Sequence, residues 1–341
     1  MSAEVMFLPP KNFQVDFNPI TKISVRQIEI ERRIILLGRS SAGKSATANT
    51  IFGRHTFLES KWGRFQTTQC QRGIVSRFGM RLEILDTPGF LLDSDISEPK
   101  TRREFAKCIG ISSPGPHVFA FVFPAAHMHK CDLEIFQRFV SVFGEDVLNY
   151  TMILFTKIDE LDHFSLTKQS FILSAPDEWK SIMKSCNYRC TWFQNRANPL
   201  EKELMVRTFI DMMEITINKN MGRHFTNDLY WEAEKALVMR NLANVDHDKR
   251  VEKLTRRLRI NLDAGPLTRF GELRKSTATK RERMRREIES DNVQVIDRIW
   301  NAIKTFDCLK ILKRPKRPYI PKQTLPKIYR RTLKPSKVYR L

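Results

Sequence analysis

The stretch GRSSAGKS, residues 38–45, directly follows the apolar run Ile34–Leu37 and matches the pattern G-x-x-x-x-G-K-[ST]. The two glycines allow a tight turn in which successive backbone N–H groups point at phosphate oxygens. Lys44 can neutralise phosphate charge, Ser45 can ligate Mg²⁺, and a helix that starts at Lys44 would present its positive end to the anion. The alternative is a plain strand-to-helix turn. The predicted nucleotide contacts are Gly38, Arg39, Ser40, Ser41, Ala42, Gly43, Lys44, Ser45 and Ala46.

A second motif, Asp86-Thr87-Pro88-Gly89, follows the apolar run Leu82–Leu85. A carboxylate at the end of a strand can hold Mg²⁺ through water, and the N–H of Gly89 can meet a γ-phosphate. Taken alone, these four residues could form an ordinary tight turn. After a phosphate-binding loop, Asp86 and Gly89 are instead predicted to belong to the nucleotide site.

A third motif, TKID at Thr156–Asp159, follows the apolar run Thr151–Phe155 and fits the guanine-recognition pattern [NT]-K-x-D. The carboxylate of Asp159 can accept two hydrogen bonds from guanine, whereas adenine offers no such pair of donors and leaves the charge unpaired. The stem of Lys157 can lie over the base. Thr156, Lys157 and Asp159 are therefore predicted nucleotide contacts, and the predicted cofactors are GTP or GDP with Mg²⁺.

From about residue 30 to 222, short apolar runs alternate with polar segments whose apolar residues recur at helical spacing. This alternation predicts an α/β fold: a doubly wound, mostly parallel sheet with helices on both faces. Gly73–Phe78 and Arg81–Leu85 are close enough to form a hairpin, which adds one antiparallel strand. The other predicted strands are Ile34–Leu37, Val118–Phe123 and Met152–Phe155, and the predicted helices include Glu98–Ile109 and Asp132–Phe143.

The formal net charge of +21 is concentrated in the last third of the chain. Up to residue 220 there are 28 basic and 24 acidic residues, and beyond it 31 and 14. Strand signals also stop there, and the pattern predicts long helices over 227–260 and 268–290. The predicted organisation is a flexible arm (1–29), a G domain (30–222), a helical, coiled-coil-like extension (223–312) and a disordered basic tail (313–341).

Apolar residues recur every three or four positions between Val295 and Leu309 and include Trp300 and Phe306. Such a face predicts one amphipathic helix, and three readings of 292–341 follow from it. Packing against the protein itself ranks first, contact with an anionic membrane surface second, and nucleic acid binding, which we consider unlikely, third.

The sequence shows no secretory signal pattern and no apolar run long enough for a membrane span. Its six cysteines follow no disulfide or zinc spacing, which predicts free thiols. The expected location is therefore the cytoplasm, with a peripheral membrane contact as the alternative.

These motifs, over about residues 30–235, resemble the AIG1-type G domains, also called immunity-associated GTPases or GIMAPs. The resemblance implies a GTPase fold, guanine-nucleotide binding and an association with immune and stress responses. It extends beyond the three motifs to stretches that ordinary small GTPases lack. The stretches that carry it are GRSSAGKSATANTIFG (38–53), LEILDTPGF (82–90), GPHVFAFVFP (115–124), FGEDVLNYTMILFTKIDEL (143–161) and HFTNDLYWEAEKAL (224–237).

The resemblance also implies two further site residues. The family's switch I threonine precedes a cysteine by three positions, which points to Thr67, with Thr68 as the competing choice. Ser45 and Thr67 would then ligate Mg²⁺ directly and Asp86 through water. The family's second guanine contact corresponds to Asn195, between Gln194 and Arg196.

Two departures bear on catalysis, and the catalytic residue stays unknown. Phe90 stands where many small GTPases place a water-orienting glutamine. Ala126 stands where many relatives carry an arginine that some are thought to offer across a dimer. His127 or His129 could substitute, although a solvated loop histidine is the better reading. We therefore expect slow hydrolysis, in either a GTPase switch or a scaffold that forms homo-oligomers through the G domain in the GTP state.

Overall fold

The computed structural model describes residues 30–59, 67–89, 91–92, 94–164, 167–239 and 281–313. Within these residues six strands form one sheet in the order β2–β3–β1–β4–β5–β6. All neighbours pair in parallel except β2 and β3, which form the predicted antiparallel hairpin. The predicted α/β fold is confirmed. The strands are β1 (Ile30–Leu37), β2 (Gln71–Arg77), β3 (Met80–Asp86), β4 (Val118–Pro124), β5 (Thr151–Thr156) and β6 (Cys190–Phe193).

Helices cover both faces of the sheet. The predicted helices around 98–109 and 132–143 are present, and each extends by two or three residues beyond the predicted bounds at one end. The helices are α1 (Lys44–Phe52), α2 (Pro99–Ser112), α3 (Lys130–Phe143), α4 (Lys168–Ser174), α5 (Asp177–Ser185), α6 (Pro199–Lys219), α7 (Asp228–Met239), α8 (281–289) and α9 (Val293–Ile303). Short 3₁₀ helices cover Ala125–His127, Glu145–Tyr150, Ile158–Phe164 and Asp307–Lys313.

Strand β4 shows why the core divides into two layers. Its side chains alternate between the faces of the sheet, because successive residues of a strand point to opposite sides. Val118, Ala120 and Val122 belong to the layer with α1 and α6. Phe119, Phe121 and Phe123 belong to the layer with α2, α3 and α5. All six are fully buried, as expected for a central strand of a sheet covered on both faces.

The C-terminal helices belong to the second of these layers. Leu229, Tyr230 and Ala233 of α7 are buried in it, and so is the apolar side of α9. Helix α9 packs against α2 and α7. Packing against the protein itself, the reading ranked first for this segment, is therefore confirmed for its described part. The rest of the predicted extension and tail, 240–280 and 314–341, lies outside the described residues.

Helix α9 ends earlier than the apolar periodicity predicts. It stops at Ile303, whereas the pattern continues through Phe306 and Leu309. The chain turns there and enters the 3₁₀ helix at Asp307, which packs against α3. The turn allows Leu309 and Leu312 to reach the core, and the carbonyl of Leu312 accepts a hydrogen bond from the N–H of Ile96 at 3.0 Å.

The six cysteines all carry free thiols, as predicted. Of the helices that the structure describes, none combines the length and the apolar character that a membrane span requires.

Candidate functional site

The GRSSAGKS stretch forms a loop between the end of β1 and the start of α1. Gly38 has a φ of +133°, and a Cβ at this position would lie 2.4 Å from the carbonyl oxygen of Val122. Only glycine satisfies both conditions, since other residues rarely adopt this φ and would clash with β4. The loop therefore closes tightly over the carboxyl end of the sheet, where open α/β sheets bind their ligands.

Lys44 is a buried cation at the centre of this loop. Its Nζ donates hydrogen bonds of 2.9 Å to the carbonyl oxygens of Gly38 and Arg39. Burial lowers the pKa of Lys44 to about 8, although the nearby charge of Asp86 partly offsets the effect. No ion pair joins Lys44 to a carboxylate of the described residues. A buried ammonium group with neutral partners is well suited to receive an anion.

Three side-chain oxygens meet beside Lys44. The hydroxyl of Ser45 donates to Oδ2 of Asp86 at 2.6 Å and lies 3.1 Å from the hydroxyl of Thr67. Thr67 Oγ1 is in turn 3.5 Å from the same carboxylate oxygen. The structure therefore brings Thr67 to the cluster, whereas Thr68 is exposed.

The chemistry of this cluster fits a bound Mg²⁺ ion. Its oxygens are the hard donors that Mg²⁺ prefers. The other carboxylate oxygen of Asp86, Oδ1, is buried without a hydrogen-bond partner among the described residues. Burial also raises the pKa of Asp86, against the effect of Lys44. A cation near this carboxylate would relieve both conditions.

Thr156 ties the guanine-recognition motif to the phosphate-binding loop. Its hydroxyl donates to the carbonyl oxygen of Ala42 at 2.6 Å and is fully buried. Lys157 follows with a left-handed φ of +55°, which redirects the chain so that Lys157 and Asp159 line the cavity described below. Thr156 therefore contacts the phosphate-binding loop, whereas Lys157 and Asp159 line the cavity, where a ligand could contact them.

Asn195 lies in the loop after β6 and is braced against α1. Its Nδ2 donates to Thr47 Oγ1 at 3.1 Å, and its Oδ1 accepts from Thr50 Oγ1 at 2.9 Å. Both ends of the amide therefore have partners, and a base contact would use the second lone pair of Oδ1. The next residue, Arg196, is exposed and also lines the cavity.

The three motifs surround one cavity of about 470 Å³, a volume within the usual range for small-molecule sites. Five of the predicted site residues are not among those that line it: Gly38, Arg39, Ala42, Asp86 and Thr156. Sequence reasoning missed three lining residues, because no motif spacing marks them: Glu59, Glu160 and Arg196. The full lining is Ser40, Ser41, Gly43, Lys44, Ser45, Ala46, Glu59, Thr67, Gly89, Lys157, Asp159, Glu160, Asn195 and Arg196.

Two positions depart from the usual catalytic pattern, Phe90 and Ala126. Phe90 is outside the described residues, and Ala126 belongs to the 3₁₀ helix after β4. His127, the next residue, is half-exposed, and its Nε2 lies 2.6 Å from Oε2 of Glu160. It is therefore a paired loop histidine.

Comparison with known proteins agrees with the fold and the motifs. A family model described as the AIG1 family matches residues 32–243. The "Immune-associated nucleotide-binding protein 9" of Arabidopsis thaliana is 27% identical over 66% of this chain, and the "GTPase IMAP family member 8" of Rattus norvegicus is 32% identical over 57%. The chain covers 65% of the plant protein and 28% of the rat protein, less than two thirds of either.

Solved structures resemble the chain more distantly. Arabidopsis thaliana Toc33 in complex with Mg²⁺ and GMPPNP is 16% identical with a TM-score of 0.42, over 56% of this chain and 86% of that one. A point variant of Aquifex aeolicus Era bound to GDP.AlF4⁻ is 16% identical with a TM-score of 0.41, over 62% and 68%.

Proposed function

Because the chain belongs to the AIG1 family, we propose that it binds GTP and GDP with Mg²⁺ and acts as a GTP-dependent switch or oligomerising scaffold. Intrinsic hydrolysis is slow in this proposal. The observation that carries it is the cavity in which a buried ammonium group at Lys44, with only carbonyl partners among the described residues, and a carboxylate at Asp159 face the same space.

In this proposal, different residues contact different parts of the nucleotide. Lys44 and the loop N–H groups bind the phosphates, and Asp159 accepts hydrogen bonds from N1–H and the amino group of guanine. Ser45, Thr67 and Asp86 would hold Mg²⁺, which neutralises phosphate charge when bound. Thr67 joins the cluster only through its hydroxyl. We propose that the γ-phosphate stabilises this contact and that its loss resets the switch.

Slow hydrolysis follows from what lines the cavity. Among the described lining residues there is no glutamine to orient an attacking water. An arginine at the place of Ala126 is also absent from the sequence. An arginine supplied to the transition state contributes about three to five orders of magnitude in rate. A hydrolase completed by a second copy or by another protein is therefore the alternative proposal.

A role at a membrane surface has less support. The apolar side of α9, which would have to enter the lipid, is buried against α2 and α7. The basic residues beyond 313 would then have to supply the attraction to an anionic surface.

Calorimetric titration of the full chain with GDP, GTP and ATP in the presence of Mg²⁺ tests the binding proposal. We expect ATP to bind at least about 100-fold more weakly than GTP. Asp159→Asn should lose guanine affinity by a similar factor, because the donors of the base lose their charged acceptor. Asp177→Asn, an exposed aspartate at the start of α5, is the matched control. Equal affinity for ATP and GTP would contradict guanine specificity.

Turnover separates the switch or scaffold from the hydrolase. The hydrolysis rate per molecule should be measured over about a hundredfold range of protein concentration, with molecular size measured in GTP and in GDP. A low, constant rate with larger assemblies in GTP supports the scaffold. A rate that rises with concentration supports catalysis completed across an interface between copies.

A further inference from the structure

We propose that Arg39 and His127 are positioning residues that fix the guanine-recognition loop, residues 157–160, to the phosphate-binding loop. This inference rests on the proposed guanine-nucleotide site and adds a specific mechanical connection within it. The connection runs through the 3₁₀ helix after β4, residues Ala125–His127.

The first half of the connection is made by Arg39, which lies in the phosphate-binding loop. Its Nη2 donates to the carbonyl oxygen of His127 at 2.7 Å, and its Nε lies 2.9 Å from Oδ1 of Asp132. The other carboxylate oxygen of Asp132 accepts a hydrogen bond from the N–H of His129 at 2.9 Å, at the start of α3. Arg39 therefore contacts both the 3₁₀ helix after β4 and the first turn of α3.

The second half is the close contact between His127 and Glu160, which becomes an ion pair when the imidazole is protonated. Nε2 of His127 lies 2.6 Å from Oε2 of Glu160, the residue directly after Asp159. The N–H of Glu160 donates to the carbonyl oxygen of Lys157 at 3.2 Å, which closes the turn around Asp159. A constraint on Glu160 is thus a constraint on the neighbouring carboxylate that would face the base.

Positioning of this kind affects how long a ligand stays bound. A carboxylate held in its productive orientation does not have to be ordered again each time the ligand binds. Glu160 also lines the cavity, so a bound nucleotide and His127 would contact the same short loop. Release of the nucleotide should therefore become faster when the His127–Glu160 contact is weakened.

An ordinary surface ion pair is the competing explanation. The side chains of His127 and Glu160 are 51% and 31% exposed, and exposed pairs contribute little to global stability. The two readings differ in what they predict for nucleotide release. A surface pair leaves the release rate unchanged, whereas a positioning contact changes it without changing the free energy of unfolding.

The charge of His127 gives a specific readout. Glu160 faces the imidazole, and on the other side Arg39 contacts only the backbone carbonyl and is itself paired with Asp132. The pair carries opposite charges only when the imidazole is protonated, and a protonated imidazole attracts a carboxylate more strongly. Acid favours the protonated form, so the contact should hold the loop more firmly at low pH than at high pH.

The experiment follows the release of a fluorescent GDP analogue from the full chain with Mg²⁺ at pH 8 and pH 5.5. His127→Gln keeps a polar N–H group near Glu160 but cannot become charged. We expect the ratio of release rates, pH 8 over pH 5.5, to be about two- to fivefold larger in the wild type than in this variant. His127→Ala should release faster than both at pH 5.5, and His129→Ala, the matched neighbouring histidine, should retain the wild-type ratio.

Equal ratios in the wild type and His127→Gln would overturn the positioning role, and so would a parallel loss of stability in urea unfolding. Arg39→Gln gives a second test, because it should speed release at both pH values by removing the link to the phosphate-binding loop. If the wild type binds no GDP analogue, the proposed function itself fails. That outcome is distinguishable because no release can then be measured.

Discussion

Two regions of the molecule bury cations: the cavity described above, and the surface of β2, β3 and α2 against which α8 and α9 pack, which we call the docking surface. Among the described residues, only the cations of the docking surface form ion pairs with carboxylates. Lys44 has two carbonyl partners, and burial holds its pKa down at about 8. Arg285 of α8 is equally buried, yet it contacts Glu83 of β3 at 3.2 Å and the carbonyl of Ser113 at 2.8 Å. The unmatched charge is the one that we propose receives the ligand, whereas the matched charge holds two parts of the chain together.

Arg72 of β2 is a second cation of the docking surface that forms ion pairs with carboxylates. It contacts Glu282 through two hydrogen bonds of 2.9 Å and also pairs with Glu289, both on α8. The bonds from Arg72 lower the pKa of Glu282 to about 2, below its usual value of 4.5. Because the folded-state pKa is lower, this contact contributes stability above pH 4.5 and loses it as the pH falls toward 2. The docking surface is thus weakened by acid.

The largest expected effect is a loss of stability at the docking surface, where Arg285 pairs with Glu83. Arg285→Met leaves Glu83 buried with Arg72 as its remaining cation, 3.5 Å away. Breaking a buried pair from one side costs about 3 to 5 kcal/mol, because the other charge stays desolvated. We expect a loss near the lower end, about 3 kcal/mol in the free energy of unfolding measured in urea, because Arg72 remains.

Arg286→Met is the matched control, since Arg286 is the next residue on α8 and its side chain is 75% exposed. Its pair with Glu282 should contribute less than about 1 kcal/mol. Equal losses in the two variants would show that charge matching does not hold α8 in place.

A smaller effect is expected where α2 meets the C-terminal helices without charge. A Cβ on Gly110 would lie 2.6 Å from Cδ1 of Ile299 and 2.8 Å from Cδ1 of Ile288. Gly110→Val therefore forces both side chains to move, and overpacking of this kind costs about 1 to 3 kcal/mol. Urea unfolding should show this loss, and limited proteolysis should cleave the segment around 281–313 more readily.

Ile299→Ala removes one of the two atoms that the new side chain would meet. The double variant Gly110→Val with Ile299→Ala should therefore lose less stability than the sum of the single variants. Strict additivity would indicate that Gly110 does not set the distance between α2 and α9.

From the sequence alone we could predict the features that a short, contiguous motif determines. Lys44, Asp86 and Asp159 were identified because each lies in a contiguous motif whose chemistry requires that residue type. The contact between His127 and Glu160 could not be predicted, because it joins residues 33 positions apart through the packing of two loops.

The same limit applies to the C-terminal helices. Their apolar periodicity predicted a buried face on α9, but not the surface that covers it. That surface includes Gly110, which looks in the sequence like any other residue of a helix. Arg285 likewise reads as one more charge in a basic stretch, and only its place against Glu83 makes it structural.

The smallest expected effect concerns Lys44, whose buried charge forms no ion pair with a carboxylate of the described residues. A bound nucleotide supplies the negative charge that Lys44 lacks, so binding should restore its pKa toward the usual value of 10.5. Binding is then coupled to proton uptake once the free protein begins to lose this proton. With a pKa of about 8 in the free protein, the affinity for GDP should fall about fourfold from pH 7 to pH 8.5.

The sign is the reverse of that at the docking surface. Lys44 gains charge on binding, so its contribution to affinity is present below pH 8 and is lost as the pH rises. Calorimetry in two buffers with different ionisation enthalpies measures the uptake directly and should give a substantial fraction of a proton at pH 8.5 and little at pH 7. No proton uptake at pH 8.5 would mean that Lys44 is already charged in the free protein. The carbonyl oxygens of Gly38 and Arg39 would then compensate its charge as well as Glu83 compensates that of Arg285.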